Sequence, residues 1–285
     1  MARATESILP KLTFEEALEI TKIHSVAGVL KEKEGFIKSR PFISPHYTIS
    51  TAALIGGGKN PIPGEISLAH RGVLFLDELG EFKKYTLEML RGPLEEGYVT
   101  ISRVNQTVTY PSKFLLIAST NPCPCGFLGH PVRKCICSQS SIEKYRSKIS
   151  GPLIDRIDIH VEVEPVKYNN LINYGIKENS ENIRKRVNTA RLIQQNRLTK
   201  YGIFSNSELT QVLIDKYCKL DKKTKNLLEK AFNTFGLTAR AYNKILKVAR
   251  TIADLEQCTD IKENHIAEAI QYRSLDKKYG NNKVG

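Results

Sequence analysis

Two adjacent acids, Asp77 and Glu78, close the apolar run Gly72-Val73-Leu74-Phe75-Leu76. Such a run reads as a short strand buried on both faces. Open α/β sheets bind ligands in the crevice beyond the carboxyl ends of their strands. Asp77 is therefore placed to hold Mg²⁺, and Glu78, its neighbour pointing the other way, to orient and activate a water that attacks the γ-phosphate of ATP. An isolated apolar-Asp-Glu string is more often a polar turn at a strand end, so the reading rests on what surrounds it.

A second apolar run, Phe114 to Ser119, ends in Thr120-Asn121-Pro122. The neutral amide of Asn121 suits a hydrogen bond to a γ-phosphate or to the attacking water, although asparagine is also an ordinary turn residue. Arg156 carries a planar, always-charged fork that can neutralise charge growing on a transferring phosphate; the alternative is a surface ion pair with Asp155 or Asp158. Arg240, opening a basic helical segment, is a further candidate phosphate contact, against plain solvation of a helix.

A different chemistry is suggested by Cys123-Pro124-Cys125 and Cys135-Ile136-Cys137, two close pairs with His130 between them. Four thiolates so placed can surround one Zn²⁺ tetrahedrally, but Cys-x-Cys is less usual than Cys-x-x-Cys and inert or redox-labile thiols remain the alternative. Cys218 and Cys258 stand singly in helical segments and read as small buried residues.

The elements that must position these groups alternate along residues 1–165. A helix is expected over 14–30, then a long segment rich in Gly and Pro over 40–66, the strand ending at Asp77, a helix over 84–94 and a hairpin over 99–110 with Arg103 and Asn105 near its tip. The strand ending near Ser119, the Cys-rich loop over 123–138, a helix-like stretch over 140–150 and a third, alternating strand over 157–163 complete an α/β pattern with a largely parallel sheet. Residues 166–200 read as a connecting helix, with Ser180 as its N-cap, and 201–285 as an all-helical domain. There Asp221 suits an N-cap and Gly236 a C-cap position.

The 285-residue chain is long enough for a large domain and a smaller one, and its lack of a membrane-spanning run or secretory signal makes a soluble cytoplasmic protein the expectation. Of the net charge of +13, residues 164–285 carry most, with 23 Lys and Arg against 13 Asp and Glu. That balance suits a polyanion, DNA above all.

The string from Pro63 to Leu79 resembles the Walker B region of Mg-chelatase-like AAA+ ATPases, as do Asn121-Pro122, Ser150 to Asp158, and Leu237 to Tyr242. Within that family the chain is most similar to the ComM (YifB-type) branch, over nearly its whole length. The resemblance implies Asp77 and Glu78 as Walker B, Asn121 as sensor 1, Arg156 as an arginine finger acting on a neighbour's ATP, and Arg240 as sensor 2. It implies a homo-oligomeric ring, usually a hexamer, with residues 40–66 and the hairpin facing a central pore. Relatives with such a cysteine cluster favour a structural zinc among Cys123, Cys125, Cys135 and Cys137.

One departure from that family is large. No Gly-x-x-x-x-Gly-Lys-[Ser/Thr] phosphate loop is found; Gly58-Lys59 is followed by Asn60 and preceded at the wrong spacing by Ala53. The family pattern places a Met-Ala-Arg-like string directly after that loop, so the chain is expected to be an AAA+ parallel-sheet core truncated just after Walker A and lacking its first strand, followed by a helical lid. Such a chain alone is expected to bind ATP weakly and to be inactive as an ATPase. The function expected of the complete protein is a DNA motor of the branch-migration type. The alternatives are a chelatase-type ATPase driving metal insertion, or an inactive module that binds partners or DNA.

Overall fold

The computed structural model describes residues 2–30, 35–103, 106–163 and 178–273. The chain forms two compact units, residues 1–156 and 157–285.

The first unit begins with α1 (Ala2–Ile8) and α2 (Phe14–Val26). Thr13 starts α2 through a capping box: its hydroxyl accepts the Glu16 N–H, and the Glu16 carboxylate accepts the Thr13 N–H. Strand β1 (Phe42–Ile43) follows, then α3 (Thr51–Ile55), the antiparallel pair β2 (Gly56–Gly57) and β3 (Ile62–Pro63), and α4 (Glu65–Leu68). Gly58, Lys59 and Asn60 lie in the turn between β2 and β3, as a loop rather than a phosphate cradle. Next come β4 (Val73–Leu76), α5 (Lys84–Glu88), α6 (Arg91–Glu96), the hairpin β5 (Tyr98–Arg103) and β6 (Gln106–Pro111), β7 (Leu115–Ala118), α7 (Gln139–Arg146) and α8 (Gly151–Ile154).

The central sheet is parallel, in the order β1-β4-β7. Val73, Leu74 and Leu76 of β4 are fully buried, as are Leu54, Ile66, Phe82, Leu87 and Leu90 of the same unit. Burying each such side chain contributes about 1.5–3 kcal/mol. Pairing of β1 with β4 depends on Gly72: the Val73 N–H donates to the Pro41 carbonyl at 2.8 Å, and a Cβ on Gly72 would lie 2.0 Å from that same oxygen. Behind the strands, buried His70 joins two elements. Its Nδ1 accepts the Lys113 N–H at 3.0 Å, so its Nε2–H donates to Glu19 of α2 at 3.1 Å. Burial pushes the His70 pKa down and keeps the ring neutral in this role.

Several expectations need correction. The run ending near Ser119 reads from its apolar residues as a second buried strand, but Leu115 is 45% exposed, because β7 is the last strand of the sheet among the described residues and only β4 covers its flank. Residues 157–163 form no strand: the alternation is there, but among the described residues no neighbouring strand takes up its backbone groups, and the His160 N–H donates instead to the Tyr272 carbonyl at 2.8 Å. The helix expected over 84–94 is two short helices, α5 and α6. The hairpin is as expected, with Tyr110 buried and its hydroxyl donating to the Pro61 carbonyl at 2.7 Å. Asn105 lies outside the described residues.

The second unit is helical: α9 (Ser180–Leu198), α10 (Gln211–Tyr217), α11 (Lys222–Phe235), α12 (Ala239–Leu255) and α13 (Glu263–Gln271). The N-cap of α9 is Asn179, not Ser180; the longer side chain reaches the Asn182 N–H at 2.9 Å. Asp221 caps α11, which ends at Gly236 in the left-handed conformation, φ 61°. Ala241, Ile245, Leu246, Ala249, Ile252 and Ala253 give α12 its buried stripe. Fully buried Asp254 is held by Arg197 at 2.6 Å, Arg250 at 3.1 Å and the Asn206 amide at 2.8 Å. Removing one partner of such a buried pair costs about 3–5 kcal/mol. No helix among the described residues is long and apolar enough to cross a membrane.

Candidate functional site

The register of β4 with β7 pairs Leu76 with Ala118, so both strands run out at the same level. The residue that follows each is then a lateral neighbour of the other. Ser119 donates its hydroxyl to Asp77 Oδ1, which also accepts the Glu78 N–H at 3.1 Å. The backbones are laced at the same point: the Ser119 N–H donates to the Leu76 carbonyl at 3.0 Å, and the Leu79 N–H to the Ser119 carbonyl at 2.7 Å. One oxygen of the Asp77 carboxylate is thereby fixed in direction. Asp77, Glu78, Ser119 and Asn121 are all exposed at this end of the sheet.

Glu78 has φ 52° and ψ 49°, the left-handed region that L residues other than Gly, Asn and Asp seldom occupy. It caps a short 3-10 turn, Leu79–Glu81, whose Gly80 carbonyl accepts Lys148 Nζ at 2.8 Å. Backbone strain of this sort persists where the surroundings over-determine it, and it clusters at functional sites. Here the turn is pinned from the Ser119 side and from Lys148.

The structure thus brings Asp77, Glu78 and Asn121 to adjacent strand ends. Arg156 follows α8, donating to the Pro152 carbonyl at 2.8 Å and pairing with Glu95 of the helix before the hairpin. Of its expected alternative partners, Asp158 pairs with Lys244 at 2.7 Å. Arg240 lies exposed in the first turn of α12, within the second unit. Ser119 and Lys148 were missed in the sequence. Serine and lysine carry no distinctive signal; only the register, two apolar runs of equal length ending together, could have pointed to Ser119.

Beyond Asn121 the Cys-rich loop folds back on itself. The sulfurs of Cys123, Cys125 and Cys135 lie 3.5–3.6 Å apart, and Cys137 completes a group whose four sulfurs are all within 4.8 Å of one another. The thiols are free. A tetrahedron with Zn–S bonds of about 2.3 Å has edges near ~3.8 Å, so the spacing fits one Zn²⁺. Backbone N–H groups of Phe127 and Ile136 lower the Cys125 pKa to about 6. Against a favourable N–H from Cys137, desolvation and the neighbouring sulfurs push Cys135 up to about 12, and Cys137 also rises. Four sulfurs this close resist ionising together unless a cation lies among them.

Among the described residues Glu256, Cys258 and His265 form another close group that sequence reading did not find. His265 Nδ1 accepts the Lys262 N–H at 3.0 Å, leaving its proton on Nε2, which donates to Glu256 at 2.9 Å. With both ring nitrogens so used, this histidine caps α13 and offers no lone pair to a metal. Cys258 is only partly buried, unlike Cys218, whose thiol burial pushes up to about 11.

Residues 1–171 match the family described as magnesium chelatase, subunit ChlI, and residues 177–273 match the C-terminal family of the same subunit. The chain is 42% identical over 279 residues to competence protein ComM of Haemophilus influenzae, covering 96% of this chain and 53% of that protein. It is 39% identical over 280 residues to YifB of Escherichia coli, covering 97% of this chain and 54% of that protein. A magnesium-chelatase subunit ChlI of Cyanophora paradoxa is 26% identical over 129 residues, 45% of this chain and 31% of that protein. The chain therefore spans about half the length of the curated relatives it matches along most of its own.

The left-handed conformation of Glu78 makes a test of this geometry. In ordinary extended or helical backbone glycine is the less stable choice, by about 0.5–1 kcal/mol relative to alanine. At Glu78 the order should invert, because the left-handed region costs an L residue roughly 1–2 kcal/mol. Urea unfolding should therefore find Glu78→Gly more stable than Glu78→Ala by about 1 kcal/mol; the reverse order would mean the turn is not held as described.

Proposed function

This chain belongs to the magnesium chelatase ChlI family, on its ComM and YifB branch, and from that premise we propose that it supplies the Mg²⁺-holding and water-activating side of an ATP-hydrolysing site in a ring-forming DNA motor. The observation that carries the reading is the Ser119–Asp77 clamp beside a left-handed Glu78. Asp77 and Ser119 present hard oxygen donors, which fit Mg²⁺. Bound there with the substrate ATP, the ion would neutralise charge on the β- and γ-phosphates.

Within this reading the carboxylate of Asp77 is kept in one orientation by the Ser119 hydroxyl and the Glu78 N–H. Glu78, turned off the strand axis, orients a water and takes its proton as the water oxygen bonds to the γ-phosphorus and the bond to the β–γ bridging oxygen breaks, releasing ADP. Asn121 directs its amide at that phosphate or at the water. Arg156 reaches a neighbouring subunit's nucleotide in the ring, and Arg240 serves as a further phosphate contact. The partial ATPase core, expected over 1–165, is then the first unit, residues 1–156, and the expected connection, 166–200, and lid, 201–285, lie in the second. ComM and YifB match nearly the whole chain whereas a chelatase subunit matches under half, which weighs against the chelatase reading, and the basic balance of residues 164–285 favours DNA as the partner.

The four cysteines fit a structural Zn²⁺ that staples the loop following Asn121 and so limits where that amide can point. Purified protein should carry one equivalent of zinc per chain by metal analysis, and Cys123→Ser with Cys135→Ser should abolish it. Absence of stoichiometric metal from the unchanged protein would rule the site out.

The sequence contains no phosphate loop, so the hydrolytic assignment is tested on a polypeptide that joins this chain to a strand and a Gly-x-x-x-x-Gly-Lys-[Ser/Thr] loop. That protein should hydrolyse ATP faster when single-stranded DNA is present. Glu78→Gln should lower kcat on the order of 10²-fold or more with ATP still bound. Undiminished turnover in that variant would contradict the assignment of the base.

A further inference from the structure

In the second unit the chain leaves α9 through a 3-10 turn, Thr199–Tyr201, closed by Gly202 at φ 71°. This turn sets Tyr201 against the last residue of α10, Tyr217: the rings meet edge to face with centroids 6.2 Å apart, and the two hydroxyls are 3.1 Å from each other. Lys216 Nζ donates to the Tyr201 hydroxyl at 2.9 Å and stands 5.6 Å from the centres of both rings. Lys200 Nζ stands 5.5 Å from the Tyr201 ring. Under Tyr217 lies Arg197, 5.8 Å from the ring centre and anchored to buried Asp254.

This cluster is more than a clasp between a turn and a helix. A clasp needs one contact and would bury it, whereas Tyr201, Lys200 and Lys216 are exposed, as is Phe204 on the same loop, and Tyr217 is half-buried where it packs against the core of the unit. The surrounding stretch, residues 184–219, carries 8 Lys and Arg against 2 Asp and Glu. Both of those acids are engaged locally, Asp215 by Gln211 and Glu208 by the Phe204 N–H and Ser205. Cations arranged around aromatic rings, with Lys216 and Arg197 held in place by hydrogen bonds, match the composition of surfaces that track a phosphate backbone and stack its bases. An acidic peptide has no flat face for the rings, and duplex DNA keeps its bases stacked inside.

We infer that Lys200, Tyr201, Lys216 and Tyr217 form a docking surface for single-stranded nucleic acid, the lysines taking phosphates and the rings taking bases, an assignment that rests on the DNA-motor reading above. Arg197 then serves as the fixed floor on which Tyr217 is presented.

The test is fluorescence anisotropy of the full chain with a labelled single-stranded oligothymidine, run against the same strand in duplex and against polyglutamate as competitor. Tyr201→Ala with Tyr217→Ala should weaken single-strand binding by about tenfold or more. Lys200→Glu with Lys216→Glu, both on exposed side chains, should weaken it and reduce the slope of log affinity against log salt by about 1–2. Tyr201→Phe with Tyr217→Phe should retain binding to within a few-fold, because the rings remain. An Arg103→Glu variant on the β5–β6 hairpin separates the two levels of the claim. If it abolishes binding while the tyrosine and lysine variants bind as the unchanged protein does, the DNA reading stands and this surface is wrong. Equal competition by polyglutamate would also overturn the surface. No binding of any nucleic acid by the unchanged protein would remove both.

Discussion

In-register parallel pairing of β4 with β7 is the constraint on which the candidate site depends. Because both strands are four residues long and paired throughout, they end together, and Asp77 and Ser119 become neighbours by backbone geometry before any side chain is considered. The hydroxyl then fixes one carboxylate oxygen, the laced backbones hold the turn, and Glu78 is driven into a conformation it would not choose alone. A slip of one residue would reverse every side chain of β7 and remove the clamp. The fully buried side chains of β4 and the close approach at Gly72 oppose such a slip from the other flank.

The two units use polar groups in contrasting ways. In the first, charges gather at the exposed strand ends, where water can reach them. In the second, Asp254 is buried among two arginines and an amide, and this network sets the position of Arg197 and, through it, of Tyr217. A costly buried pair thus supports a surface feature. The Cys-rich loop is a third case, where four sulfurs in close contact ask for a cation to make their shared geometry stable.

Much of this was legible in the sequence, for reasons that differ between residues. Asp77, Glu78 and Asn121 could be placed because unbroken apolar runs mark buried strands and the polar residues that stop them mark strand ends. The two cysteine pairs could be grouped because short spacing forces proximity. Strand β1 was not legible: Phe42 and Ile43 sit among breakers, and what makes them a strand is pairing with Val73 and Leu74, which no local pattern encodes. The opposite error arose at 157–163, where alternation without a partner strand among the described residues yields no strand. Ser119 depended on register and Glu78's backbone on the turn around it, both properties of the assembled sheet.

The central claim, that Ser119 orients Asp77 to hold a metal, is tested most directly by the Mg²⁺ requirement of Ser119→Ala in the phosphate-loop-bearing protein. Partners that orient a metal's ligand are worth about 10–100-fold in metal affinity. The account predicts that the Mg²⁺ concentration for half-maximal ATPase activity rises about tenfold, while the rate at saturating Mg²⁺ stays close to that of the unchanged protein. An unaltered Mg²⁺ requirement would contradict it.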